Sequence, residues 1–157
     1  AAPAWRQRPR RLVSRPRNGR GGRGVVVHEQ RVAPEPDRSQ IWQQFMPGTE
    51  YDVQLLLDPA LGFGPLAAGV FEKTGLREGR TGNATGLVQT AAPDVKELAI
   101  RAALALELQG PIDLDIRRDA QGRPRVLEIN PRIGAHALQL PQQFDSMVEL
   151  HQRGHHG

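Results

Sequence analysis

The chain has 157 residues, enough for one domain with a core of its own. Apolar residues make up 38 % and Cys is absent, so disulfides and thiol catalysis are excluded, and no apolar run approaches the ~20 residues that span a bilayer. The net charge of +4 is uneven: the first 24 residues hold eight Arg and no acid, and the remainder holds 13 basic against 17 acidic residues.

Nineteen of the 21 basic residues are Arg, which suits planar, bidentate recognition of phosphate or carboxylate and is equally what a genomic bias would give. No signal-peptide pattern opens the chain, and the lack of Cys fits a cytoplasmic protein.

Residues 1–10 are rich in Pro and Arg without periodicity and read as a flexible lead-in. A short strand at Leu12–Ser14 runs into Arg15-Pro16-Arg17. A loop with Gly19, Gly21, Gly22 and Gly24 follows, then a β-branched strand at Val25–Val27. Such glycines let backbone N–H groups approach phosphate oxygens closely. The spacing is neither that of a P-loop nor that of a dinucleotide fingerprint, and the flanking strands place the loop at a hairpin tip. A glycine hairpin without a ligand is one alternative, and an Arg-rich RNA-binding segment is another. The single RGG and the lack of interleaved aromatics count against the RNA alternative.

Glu29–Gln40 is polar with two prolines and reads as a loop. Ile41–Leu57 reads as strand, turn at Pro47-Gly48, then strand, with Trp42, Phe45 and Tyr51 as candidate core. Asp58–Gly64 is a Pro/Gly loop. Pro65–Phe71 reads as a strand ending in Glu72-Lys73, where Lys73 is taken as a solvated lysine. Thr74–Thr85 reads as a long flexible loop and Gly86–Thr90 as a short strand. Pro93–Leu108 is a helix. Pro93 stands at its first position, Asp94 and Glu97 in its first turn, and Val95, Leu98, Ala99, Ala102 and Leu106 at helical spacing, with Gly110 beyond its end. It is expected to back a sheet and to carry no chemistry.

Gly110–Arg132, GPIDLDIRRDAQGRPRVLEINPR, carries the one tight cluster of carboxylates with an evident chemical use. Ile112–Arg117 alternates apolar and charged residues; Arg125–Asn130 nearly does so, with Val126 out of phase. Asp119-Ala120-Gln121-Gly122 is turn composition. Residues i and i+2 of a strand share a face, so Asp113 and Asp115 point together, as do Glu128 and Asn130. In an antiparallel hairpin an even-length loop puts all of them on one face, and a three-residue loop separates them. Gathered, their oxygens suit Mg²⁺, which completes its shell with water and substrate phosphates. Arg132, just past a proline, could reach the same phosphates with parallel hydrogen bonds. The alternative is a solvated hairpin face with scattered charges.

After Arg132 the stretch IGAHALQLPQQ is irregular. His136, the histidine nearest the cluster, is either structural or a substrate contact. Phe144–Gln152 reads as a last helix and Arg153–Gly157 as a loose end. His151 and His155 could share a metal only if the helix ran through Gly154, so no zinc set is expected.

LEINPR after an acidic strand resembles the metal-binding core of the ATP-grasp superfamily, and is most similar to its carbamoyl-phosphate-synthetase-like and amino-acid-ligase branches. The resemblance implies an α+β fold with a small β-rich lid and a larger antiparallel sheet backed by helices. It implies Asp115, Glu128 and Asn130 as ligands of two Mg²⁺ ions (Mn²⁺ could substitute) on the phosphates of ATP, with Asp113 as the lesser first-strand candidate. Arg132 matches the family's phosphate-contacting arginine, Arg15 matches the basic residue of the lid, and Gly19, Gly21, Gly22 and Gly24 match the phosphate-covering loop. Gln44 stands where relatives often have Glu; Phe45 and Met46 would offer backbone groups to adenine, Glu50 would accept from ribose hydroxyls, and Lys73, read above as solvated, falls near a position where relatives carry a basic residue for phosphate or the acyl intermediate.

The implied division is a lead-in at 1–10, a lid at 11–45, a metal and phosphate subdomain at 46–143, and a terminal helix and tail at 144–157. The implied chemistry is ATP-dependent formation of an acyl phosphate from a carboxylate substrate, then attack by an amine. Family members carry a preceding α/β domain, so a fragment lacking it, or one needing a partner subunit, is expected. They also carry a lid helix where this chain has Glu29–Gln40. A membrane or nucleic-acid partner is not expected.

Overall fold

A computed structural model describes residues 11–18, 22–29, 38–58, 65–77 and 84–154. Gly19, Gly21, His155 and the lead-in at 1–10 lie outside them. The described residues hold strands β1 (Leu12–Pro16), β2 (Val26–His28), β3 (Gln40–Gln44), β4 (Glu50–Leu57), β5 (Pro65–Leu76), β6 (Ala84–Gln89), β7 (Gly110–Arg118) and β8 (Pro124–Asn130), with helices α1 (Pro93–Ala105) and α2 (Pro141–Gly154). A short 3₁₀ turn, Ala137–Gln139, precedes α2. Among the described residues no helix is long and apolar enough to cross a membrane.

The chain divides into two compact units, 1–47 with 74–86, and 48–73 with 87–157. In the first, β1 is central in a three-stranded antiparallel sheet ordered β2-β1-β3. Ser14 faces Val26 on one side and Trp42 on the other. β1 and β2 are therefore the arms of a hairpin, as the sequence predicts for the glycine-rich stretch. Ser14 Oγ hydrogen-bonds His28 Nε2 at 2.8 Å, and the His28 ring stacks on Trp42.

The second unit is built on a five-stranded sheet ordered β6-β5-β4-β7-β8. β4 is buried along nearly all its length because it lies between β5 and β7. Its odd residues Tyr51, Val53, Leu55 and Leu57 join Ile112, Leu114 and Ile116 of β7 under Val95, Ala99 and Ala103 of α1. Those helix residues recur every fourth position, which gives one apolar stripe. Burying each such Val, Leu or Ile contributes about 1.5–3 kcal/mol. Arg118 ties the start of α1 to the end of β7, with Nη1 2.6 Å from Asp94 Oδ2 and Nη2 2.9 Å from Asp94 Oδ1. On the other face Leu56, Ala67 and Phe71 pack with Leu140 and, from α2, Met147 and Leu150.

Several elements differ from expectation. β5 runs on to Leu76 and β6 begins at Ala84, so both ends of the expected Thr74–Thr85 loop are strand. Gly75 and Gly86 lie against Thr85 and Thr74, and that close approach extends the pairing into the glycine-containing stretch. α1 stops at Ala105 rather than Leu108, where Glu107 takes a left-handed conformation at φ 54°. α2 starts at Pro141 rather than Phe144 and ends at Gly154 rather than Gln152.

Candidate functional site

The hairpin β7–β8 is closed by Asp119 N–H to Arg123 O and by Gly122 N–H to Asp119 O. The tip is Ala120-Gln121-Gly122, with Gly122 at φ 77°, a left-handed position that glycine takes without strain. Asp119 accepts from the backbone of Gln121 and Arg123 and from the Arg123 and Arg125 side chains. Such a loop puts Arg117 opposite Arg125 and Ile116 opposite Val126. Continued regularly, this register would turn Glu128 and Asn130 away from the aspartates. It is not continued: a bulge on β8 falls between Val126 and Glu128, and beyond it Asp115 faces Glu128 and Asp113 faces Asn130. One extra residue, Leu127, thus flips the faces back. The expectation of an even loop is corrected, and the shared face arises by another route.

β4 completes the face from the other side, where Glu50, Asp52 and Gln54 stand opposite Arg117, Asp115 and Asp113. β5 adds Lys73, one residue beyond Glu72, which faces Tyr51. Lys73 is not solvated: its side chain is 5 % exposed, and Nζ donates to Glu50 Oε1 at 2.8 Å and to Asp115 Oδ1 at 2.7 Å. Arg117 Nη1 stands 3.3 Å from Glu50 Oε2 and its Nε donates to Gly48 O. Burial alone would lower the Lys73 ammonium, but Asp115 and Glu50 outweigh it and hold it above the usual lysine range. Lys73 is thus a fixed positive charge among carboxylates. Burial also pushes Arg117 below its ordinary value.

Toward the other end of the strands, Gln54 Nε2 donates to Asp52 Oδ1 and, at 2.9 Å, to Asp113 Oδ1. His136 Nδ1 hydrogen-bonds Asp52 Oδ2 at 2.7 Å, and Arg132 Nη1 donates to Asp113 Oδ2 at 3.2 Å and to Ile133 O. Burial, then the neighbouring Asp52 and Asp115 charges, push the Asp113 carboxyl up to about 6. Burial raises Asp115 as well, partly offset by Lys73.

Of the residues singled out in sequence, Glu50, Asp113, Asp115, Glu128 and Asn130 are brought to this one face. Arg132 lies just past β8, half-exposed, with its guanidinium on Asp113. Arg15 is on β1 opposite Ile41, and Gln44 ends β3 opposite Leu12. Phe45 is buried and its N–H donates to Arg11 O; Met46 follows it. Gly22 and Gly24 have φ of 73° and 74° in the turn into β2. These residues belong to the first unit and the carboxylate face to the second.

Asp52 and Gln54 escaped sequence reading, although Glu50-Tyr51-Asp52-Val53-Gln54 alternates as cleanly as β7. Their partners on β7 become visible only once the strands are paired. Among the described residues no three His, Asp or Glu side chains already converge as a metal shell. The donors nonetheless fit Mg²⁺ in kind: Asp115, Glu128 and Asn130 offer hard oxygen on one face beside a fixed cation.

Residues 1–136 match the family described as the ATP-grasp domain. No curated protein matches the chain in sequence. Among solved structures, an L-amino acid ligase from Bacillus licheniformis is similar at 22 % identity and TM-score 0.55, covering 82 % of this chain and 33 % of its own. The ATP-grasp ligase PsnB, solved with precursor peptide PsnA2 and AMPPNP, is similar at 18 % identity and TM-score 0.52, covering 80 % of this chain and 39 % of its own. A D-alanine–D-alanine ligase from Bacillus anthracis is similar at 15 % identity and TM-score 0.54, covering 94 % of this chain and 57 % of its own. The chain therefore spans between a third and some three fifths of the length of these enzymes. The α+β architecture is theirs, and with the family match over residues 1–136 the chain belongs to the ATP-grasp domain family.

Proposed function

We propose that the chain is the Mg-ATP-binding part of a carboxylate–amine ligase of the amino-acid-ligase kind, acting through an acyl phosphate. The register of the β7–β8 hairpin carries this reading, because it faces Asp115 with Glu128 and Asp113 with Asn130 on one side of the sheet. Asp115, Glu128 and Asn130 would hold Mg²⁺, which when bound neutralises phosphate charge and aligns donor with acceptor.

The chain's own residues do the rest. Lys73, fixed in its charged form, holds the Glu50 and Asp115 carboxylates in place. Arg132 and, from the lid hairpin, Arg15 offset phosphoryl charge. Gly19, Gly21, Gly22 and Gly24 cover the phosphates, Phe45 and Met46 present backbone to adenine beside Gln44, and Glu50 accepts from ribose. In the reaction a carboxylate oxygen of the substrate attacks the γ-phosphorus. The bond to the β,γ-bridging oxygen breaks and ADP leaves with its electron pair. An amine then attacks the acyl carbon, loses its proton, and expels inorganic phosphate. No side-chain nucleophile is needed.

A second reading is a nucleotide-binding module that turns over only with a partner domain or subunit; the chain's coverage of a third to some three fifths of related enzymes favours it. Hydroxylamine trapping separates the two. Purified chain, Mg-ATP and a mixture of amino acids should give a hydroxamate if the chain forms acyl phosphates alone. ATP binding without hydroxamate supports the partner-dependent module, and no ATP binding at all contradicts both.

A further inference from the structure

Gln54 is fully buried at the middle of β4, and its Nε2 serves Asp52 and Asp113 together. Both carboxylates are themselves buried. An amide is well suited to that place. It is neutral, and its nitrogen has one hydrogen for each carboxylate. The segment after β8 is seated on this amide. A Cβ on Gly134 would press on Gln54 Nε2 and lie 2.6 Å from Oε1 and 2.8 Å from Cδ, so any side chain at residue 134 would displace the amide. On either side of Gly134, Arg132 reaches Asp113 and His136 reaches Asp52. Alternate residues of the segment are thus fastened to the carboxylates that Gln54 spaces.

We propose that Gln54 is a positioning residue: its amide, beneath Gly134, sets Asp113 and Asp52 so that they hold Arg132 and His136 in place beside the end of β8. The consequence for phosphate rests on the ATP reading above. Without the amide hydrogens the two buried carboxylates repel, Asp113 shifts, and Arg132 loses its anchor.

Two variants of the full chain test this. Gln54→Leu keeps the approximate volume and removes the donors. Gly134→Ala pushes the amide aside from the opposite direction and leaves β4 untouched, so it carries the test should Gln54→Leu not fold. Dissociation constants for Mg-ATP and for adenosine are measured beside amide hydrogen exchange over residues 132–138. Both variants should exchange at least about tenfold faster over 132–138. Both should bind Mg-ATP about tenfold more weakly while binding adenosine as before, since adenosine has no phosphate for Arg132. Unchanged exchange in the folded variants, or equal weakening of ATP and adenosine, overturns the role of Gln54 and leaves ATP binding itself standing. A wild-type chain that binds no ATP removes the phosphate half of the proposal together with the ligase reading.

Discussion

The two faces of β4 and β7 are made by the same strands, one residue out of step, and they do opposite things. Val53, Leu55, Ile112, Leu114 and Ile116 are fully buried beneath α1. Glu50, Asp52, Gln54, Asp113 and Asp115 alternate with them and gather carboxylates on a buried face, where burial first and neighbouring carboxylates after it raise the Asp113 and Asp115 carboxyls. The apolar face supplies the stability that lets the polar face be strained.

Substitutions should separate the faces. Leu114→Ala, on the apolar side, should cost about 3–4 kcal/mol in urea unfolding, through a cavity that α1 cannot collapse into. ATP affinity per folded molecule should be unchanged. Lys73→Met, on the polar side, should cost about 3 kcal/mol, because Glu50 and Asp115 lose their shared cation. Unlike Leu114→Ala, it should also change nucleotide affinity.

Between about pH 4 and pH 6 the pH dependence is set by the polar face, through Asp113. With Asp113 pushed up to about 6 in the fold, the folded protein retains a proton that the unfolded chain gives up near pH 4. Stability in EDTA should therefore fall as pH rises from about 4 to about 6, by about 2 kcal/mol, and stay low above that window. Asp115 adds a slope of the same sign. Asp113→Asn should flatten the curve and keep the Gln54 hydrogen bond, read by urea midpoints at several pH values. The smallest effect belongs to neither face: Arg101→Ala breaks an exposed pair with Glu97 and should move stability by less than about 0.5 kcal/mol.

The alternation in Ile112–Arg117 and the LEINPR motif make the hairpin and the family legible, since a strand's period of two is a local property. What periodicity omits is who lies beside whom. Asp52 and Gln54 are invisible to it because only the β4–β7 register puts them opposite Asp115 and Asp113. Lys73 reads as solvated in sequence because its partners stand 23 and 42 residues away. The bulge at Leu127 left one trace, Val126 out of phase, and a turn rule applied without it gives the wrong face. α2 begins at Pro141, three residues before the expected Phe144, because its apolar residues Met147 and Leu150 pack with Leu140 against the sheet and carry the helix back to the proline.

The central claim is that the Asp115–Glu128 and Asp113–Asn130 pairs form a Mg²⁺-dependent nucleotide site. Calorimetric titration of ATP into the full chain, with Mg²⁺ or with EDTA, tests it on wild type and Glu128→Ala. The account predicts binding that requires Mg²⁺ and falls at least about a hundredfold in the variant. ATP binding of equal strength in EDTA, or undiminished in Glu128→Ala but abolished by Arg15→Ala, would contradict it.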